Sequence, residues 1–342
     1  MFTFNGQVSQ HRIIPILEKL SEQFDLKDVF RDCTDDASLV QALHDWLKRT
    51  QFSVFTNQNI PIATRAEITR EIGLLGLDTR AGVGLDENNL PDLMWCAVPA
   101  GDFLYGSDKK RDPYAYRTEL PQKTLNVDYA YQVSVYPITT AQFQAFVQSD
   151  YSDMRWWADF PAEYQPHAVN TDENPSLLAK ALNLPATLIS WYQAVAFCRW
   201  LTVRYQGANI ITADQMIRLP TDVEWEKAAR GTDGRVYPYG DDAEADFANM
   251  SGTDLGDVCP VGLFADGVSP YGTHDMSGNV FEWCTANTED ISAGQILRGG
   301  SYYMSEEWAR CAYRYERMPA QQLKDSGFRV VLSDIRNHPI AP

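Results

Sequence analysis

The stretch RLPTDVEWEKAARG, Arg218 to Gly231, carries the clearest local instruction in the chain. Thr221 and Glu224 stand at capping-box spacing and Gly231 follows the last turn, which predicts a helix starting after Thr221 and stopping at Gly231. Trp225 and Ala229, four apart, would face a core, while Glu226 and Arg230 form an i,i+4 ion pair. Carboxylates between Arg218 and Arg230 also have the composition of an acid–base site. The buried stripe makes folding the stronger reading.

Upstream, SWYQAVAFCRWLTVRYQG predicts a second helix, with Ser190 as N-cap and Gly207 just past its end. Around these two helices the elements are short, aromatics are dense and turn dipeptides recur without a fixed period, which argues against a repeat array. Towards the N-terminus, apolar residues return at helical spacing over 13–24, 38–47 and 64–75. Glycine, asparagine and proline then accumulate in RAGVGLDENNLPDLMW, placing a boundary near Leu90. The organisation expected is a helical adaptor or docking region with linker over 1–90, a main domain over 91–335, and a tail over 336–342.

The chain has 342 residues, 44% of them hydrophobic, enough for one large or two moderate cores. A formal charge of −17 repels phosphate backbones and anionic headgroups, so neither nucleic acid nor membrane is expected as a partner. Six cysteines, at 33, 96, 198, 259, 284 and 311, include no Cys-x-x-Cys pair and read as free thiols. The N-terminus lacks the pattern of a secretion signal, and no apolar run approaches the ~20 residues of a membrane span. A soluble, cytoplasmic protein is expected.

The strings PAGDFLYGS, YPITTAQFQAFV, SWYQAVAFCRWL, RLPTDVEWEKAARG, YPYGDD, DMSGNVFEW, LRGGSYY, RCAYR and GFRVV, in this order, resemble the formylglycine-generating enzyme, or sulfatase-modifying factor, family from about Met94 to Leu332. The resemblance implies an irregular α+β fold related to C-type lectins, here preceded by a small N-terminal helical domain. In DMSGNVFEW, Asp275 and Glu282 offer hard carboxylate oxygens around the turn at Gly278, and the residues alone leave a cation site or a hydrogen-bonded loop open. The family resemblance implies structural calcium at Asp275, Gly278, Val280 and Glu282. It implies a second calcium at Asn249 and Met250, with Asp254 or Asp257 as the carboxylate.

Active formylglycine-generating enzymes oxidise a substrate cysteine with copper held by two cysteines downstream of the GGS segment. Those positions fall here at Met304 and within Glu307 to Ala309, and a lone Cys311 cannot supply a two-thiolate site. Other enzymes of this fold use an iron domain with a histidine-rich motif. The histidines here, at 11, 44, 167, 274 and 338, stand singly. Neither copper nor iron is therefore expected.

What the C-terminal segment does carry is a recognition composition, in Tyr302, Tyr303, Met304, Glu306, Glu307, Trp308, Tyr313, Tyr315 and Arg317, joined by Trp156 and Trp157 of MRWWADF. Arg298, Gly299, Gly300, Arg310, Arg314, Gly327, Phe328 and Arg329 read as framework. The string TRAEITREIGLLGLDTRAGVGL resembles a helical linker of bacterial conflict and signalling proteins, and no phosphate-binding loop precedes it. The reading is a non-enzymatic recognition module of a bacterial signalling or defence system. It would meet a protein or peptide partner through the aromatic surface and the N-terminal helices. The alternative is an oxidoreductase of the same superfamily with altered chemistry.

Overall fold

A computed structural model describes residues 10–165, 181–286 and 294–337. Three helices open the chain: α1 (Gln10–Gln23), α2 (Asp36–Arg49) and α3 (Ile62–Leu74). A capping box between Asp35 and Ser38 starts α2. Leu20, Leu43, Leu47, Ile68 and Ile72 are fully buried where the helices meet. The expected boundary is not a gap, because the same core continues into Cys259, Leu263 and Phe264 of the main domain. Arg65 on α3 donates to Phe55 O at 2.9 Å and to Leu263 O at 3.1 Å. Asn183 donates to Thr69 O and to Asp78, each at 2.9 Å. The inner face of α3 is thus covered by the chain itself.

Among the described residues, the main domain mixes short strands with three helices, the α+β class expected from the sequence. Strands β1 (Trp95–Val98), β4 (Tyr131–Ser134), β5 (Gln215–Arg218) and β10 (Val331–Asp334) form one antiparallel sheet in the order β1-β4-β10-β5. Strands β2 (Gly101–Tyr105) and β3 (Lys123–Val127) pair as an antiparallel ribbon. The third sheet has the order β8-β7-β6-β9, built from β6 (Phe281–Cys284), β7 (Gln295–Arg298), β8 (Tyr315–Arg317) and β9 (Ser326–Gly327), with β6 and β9 parallel. Among the described residues, no helix is long and apolar enough to cross a membrane.

Both predicted main-domain helices form, as α5 (Trp191–Gly207) and α6 (Asp222–Arg230), each behind a complete capping box. A third, α4 (Thr140–Ser149), lies in YPITTAQFQAFV, which the sequence reading did not assign to a helix. Its capping box, Thr139 with Gln142, was the available signal. Phe143 and Phe146 of α4 pack on Phe197 of α5 at 5.8 and 6.1 Å between ring centroids. The same core takes Trp156 and Trp157, 4% and 0% exposed. These two tryptophans are therefore not part of a ligand surface: the Trp157 indole donates to Tyr151 O at 2.9 Å and its ring is sealed from solvent.

In α6 the predicted stripe is present, since Trp225 and Ala229 are fully buried and Glu226 meets Arg230 at 3.0 Å. The ion pair is itself buried. Glu226 Oε1 accepts from Gly106 N at 2.6 Å, and Oε2 accepts from Arg298 at 2.6 Å and Arg314 at 2.9 Å. One carboxylate thus ties α6, β7, the segment before β8 and the turn after β2. Removing one partner of a buried ion pair strands the others, at a cost of about 3–5 kcal/mol. Glu226→Gln should lower the free energy of unfolding by about that much in urea titrations. A loss below about 1 kcal/mol would refute this central role.

Candidate ligand-binding site

β7 ends at Arg298, and the chain turns back at Gly299 and Gly300. Gly300 has φ +73°, and a side chain there would meet Ala309 Cα at 2.9 Å, so only glycine lets the 301–309 loop close on its own base. Met304 N donates to Ser301 O, and a short 3-10 turn over Glu306–Trp308 follows. β8 then returns along β7 with Tyr315 opposite Leu297.

This path gathers three of the predicted aromatics. Trp308 lies 5.0 Å from Tyr313 and 6.3 Å from Tyr315, centroid to centroid. Tyr116, which the sequence reading missed, completes the group at 6.3 Å from Trp308 and 5.6 Å from Tyr313. It belongs to a loop without periodicity, nearly the whole domain away in sequence, so no local pattern could have found it. Beneath the rings, fully buried Arg310 holds Asp112 at 2.5 Å and Glu119 at 2.6 Å, anchoring the loop that carries Tyr116. Arg317 sits 3.4 Å from the Tyr315 centroid, a close cation–π contact.

Glu307 orients the indole by accepting from Trp308 Nε1 at 3.0 Å. Glu306 is exposed, with its carbonyl taking the Tyr237 hydroxyl at 3.2 Å. Burial pushes the Tyr313 hydroxyl well above the usual phenol range, so it stays a neutral donor. Tyr302 and Tyr303 are held apart from this group. Tyr302 is buried with Ala181, Leu184, Val258 and Val280, whereas Tyr303 is exposed beside Lys324. Met304 is half-buried against the main core, and its carbonyl accepts from Ser251 N at 3.0 Å.

Cys311 donates its backbone N–H to Val236 O at 2.8 Å, and complete burial pushes its thiol up to about 12. Six free cysteines are present. Among the described residues, no group of three histidine, cysteine, aspartate or glutamate side chains is placed to hold a metal ion. Calcium can also use carbonyl oxygens, so each implied set was tested on its own donors.

In the first set, Asp275 is buried, and that burial raises its carboxyl to about 6. One of its oxygens accepts from Gly262 N at 2.7 Å. Gly278, with φ +72°, packs so tightly on Asn249 that a side chain would lie 2.2 Å from Asn249 O. Glu282 is less available: Arg329 binds both its oxygens at 2.6 and 2.7 Å, and the Trp225 indole adds a bond of 2.6 Å. Of this set Asp275, a buried carboxylate without an ion pair of its own, is the member whose chemistry fits a cation.

The second set is closed. Thr253 Oγ1 lies 3.1 Å from Asn249 Oδ1 and 2.8 Å from Met250 O, the two oxygens a cation would have to bridge. Asp257 is engaged by its own Val258 N at 2.8 Å and by Arg70 at 3.1 Å. Asp254 is exposed, with left-handed backbone at φ +56°. A separate cleft of about 500 Å³, absent from the sequence reading, lies where Gly73 to Gly76 meet Asp86, Glu87 and Leu182.

The sulfatase-modifying factor enzyme 1-like domain matches residues 85–334. Among characterised proteins, a hercynine oxygenase of Mycolicibacterium thermoresistibile is 28% identical over 67% of this chain and 56% of its own length. The chain thus spans little more than half of that relative. The mouse protein named inactive C-alpha-formylglycine-generating enzyme 2 is 27% identical over 69% of this chain and 84% of its own. The solved structure of PvdO from Pseudomonas aeruginosa superposes with a TM-score of 0.57, at 20% identity over 75% of this chain and 99% of that one. At that identity the likeness shows the fold alone.

Burial also sets which thiols react. Cys33 is partly exposed and the other five are buried. At pH 8 a thiol reagent should modify Cys33 rapidly and the remaining five only after unfolding. Fast native modification of Cys311, read by peptide mass spectrometry, would contradict the placement described.

Proposed function

The chain belongs to the sulfatase-modifying factor family, and within it we propose a non-enzymatic recognition protein that reads a protein or peptide ligand on the aromatic shelf of Tyr116, Trp308, Tyr315 and Arg317, which rests on the buried Tyr313. The observation that carries this reading is what occupies the two positions where oxidising members place thiols. Met304 is half-buried against the core, and in the Glu307–Ala309 segment Trp308 closes on three tyrosines. Thiolates would supply copper ligands and electrons there, whereas these side chains supply contact area with polar handles. The family also includes a mouse member named as inactive, so its fold outlives its chemistry.

Rigid aromatic rings lose little rotamer freedom on binding, and tryptophan, tyrosine and arginine dominate binding hot spots. In this proposal the main anchors are Trp308 and Tyr116, flanked by Arg317, Glu306 and Glu307, which select the charge of the ligand. Tyr303 forms an outlying contact. Calcium at Asp275, Gly278 and Val280 stabilises the loop beneath, supplying a counter-charge to the buried carboxylate. The N-terminal helices connect this face to a bacterial signalling or defence system. The match to hercynine oxygenases favours a second reading, an oxidoreductase with altered ligands, in which Met304 is the soft donor of the 301–309 loop.

Three measurements test the proposal. Peptides selected from a displayed random library on the intact chain should lose at least about tenfold in affinity for Trp308→Ala. Unchanged binding would place the site elsewhere. Reconstitution with copper(I) or iron(II) and cysteine-containing peptides should give oxygen uptake at background, and uptake that Met304→Ala abolishes would favour the oxidoreductase. Adding calcium after chelation should raise Tm by several degrees, an effect Asp275→Asn removes. Identical Tm values with calcium and with chelator would eliminate the ion.

A further inference from the structure

The loop over 249–258 is where the family resemblance implies a second calcium ion, and the two nearest oxygens of that set already face a hydroxyl of the chain. Met250 O accepts both Thr253 N, at 3.0 Å, and the Thr253 hydroxyl, at 2.8 Å. Asn249 Oδ1 lies 3.1 Å from the same hydroxyl, while its Nδ2 donates to Asp257 O at 3.0 Å. Calcium requires six to eight oxygens at about 2.3–2.6 Å, and the Thr253 hydroxyl stands within reach of both of its nearest would-be donors. The charge that calcium would have supplied comes from elsewhere. Arg70 of α3 reaches across to Asp257 Oδ2 at 3.1 Å and to Val258 O at 2.5 Å.

We propose that the N-terminal helical unit replaces this calcium: Arg70 delivers the cation, Thr253 fills its seat, and the loop so held positions the recognition segment. The Arg70–Asp257 pair is itself solvent-exposed, and two features tie it into the fold. Arg65, close to Arg70 on the same helix, is buried and bonds Leu263 O at 3.1 Å, so α3 is anchored at both ends of the 257–263 stretch. At the other end of the loop, Ser251 N donates to Met304 O at 3.0 Å. A continuous path therefore runs from Arg70 through Asp257, the loop and Ser251 to Met304. A planar guanidinium can bond a carboxylate and a carbonyl together, which a monovalent point charge does less well. The N-terminal helices thus work as an internal clamp on the binding face. The inference concerns the loop's counter-charge and holds whether the face binds ligand or performs chemistry.

Hydrogen exchange followed by mass spectrometry on the full chain tests it. In chelator, Arg70→Met should speed exchange at least about tenfold in peptides covering 251–258 and 301–308, leaving β1, β4 and β10 unchanged. Arg70→Lys should fall between that variant and the parent. Calcium should slow the 251–258 peptide in Arg70→Met, where Asp257 is released, and leave it within about twofold in the parent. Two outcomes overturn the proposal: parental exchange at 251–258 in Arg70→Met, or a calcium-induced slowing of the parent loop that persists in Asp275→Asn. Neither readout uses a ligand, so a failure here is distinct from a failure of the recognition reading.

Discussion

Glu226 is the point on which this architecture depends. Its two oxygens take a backbone N–H from the turn after β2 and guanidinium groups from α6, β7 and the approach to β8. An isolated charge at this depth would be untenable, and without Glu226 Arg230 would lose its carboxylate partner while Arg298 and Arg314 would keep Asp222. One helical turn earlier, Asp222 accepts from the Tyr105 hydroxyl at 2.6 Å and from Arg314 at 3.0 Å, extending the network to the β2–β3 ribbon. The result is a polar core that is satisfied only when all of these segments arrive together, which is how short strands and long loops reach a single arrangement.

The same device recurs at the periphery. Arg329 clasps Glu282 while donating to the carbonyls of Ser134 and His274, and so joins two sheets. Arg310 holds Asp112 and Glu119, and through them sets Tyr116 against Trp308. Loops without ladder partners still have backbone groups to satisfy, and arginine supplies five donors in a fixed plane. The face formed by Tyr116 and Trp308 is therefore held by buried charge pairs rather than by regular secondary structure.

A chain with a net charge of −17 must also neutralise carboxylates near its loops. Buried arginines do this for Glu226, Glu282 and Glu119, and Arg70 does it for Asp257 from the N-terminal unit. Among the described residues Asp275 and Asp325 are buried without an ion pair, and burial raises the Asp275 carboxyl. At Asp257, by contrast, Arg70 already supplies a counter-charge.

Capping boxes, helical periodicity and the order of the family strings are local or linear features, and they were legible: α5, α6, the three N-terminal helices, the α+β class and the framework arginines could all be read from them. The α4 helix had the same signal at Thr139 and Gln142, hidden because its apolar residues resemble a short strand. Aromatic composition could not say which rings face solvent. Trp157 and Trp308 look alike in sequence, yet one is sealed in the core and the other half exposed, because exposure is set by what packs from distant segments. Tyr116 beside Trp308 and Arg70 beside Asp257 arise only once the chain has closed on itself. By itself the sequence determined the helices α5 and α6, because a capping box is a property of neighbouring residues. The tertiary structure alone decided which charges meet and which surface is presented, because these depend on contacts across 100 residues or more, where one side chain's partner lies outside any window of sequence.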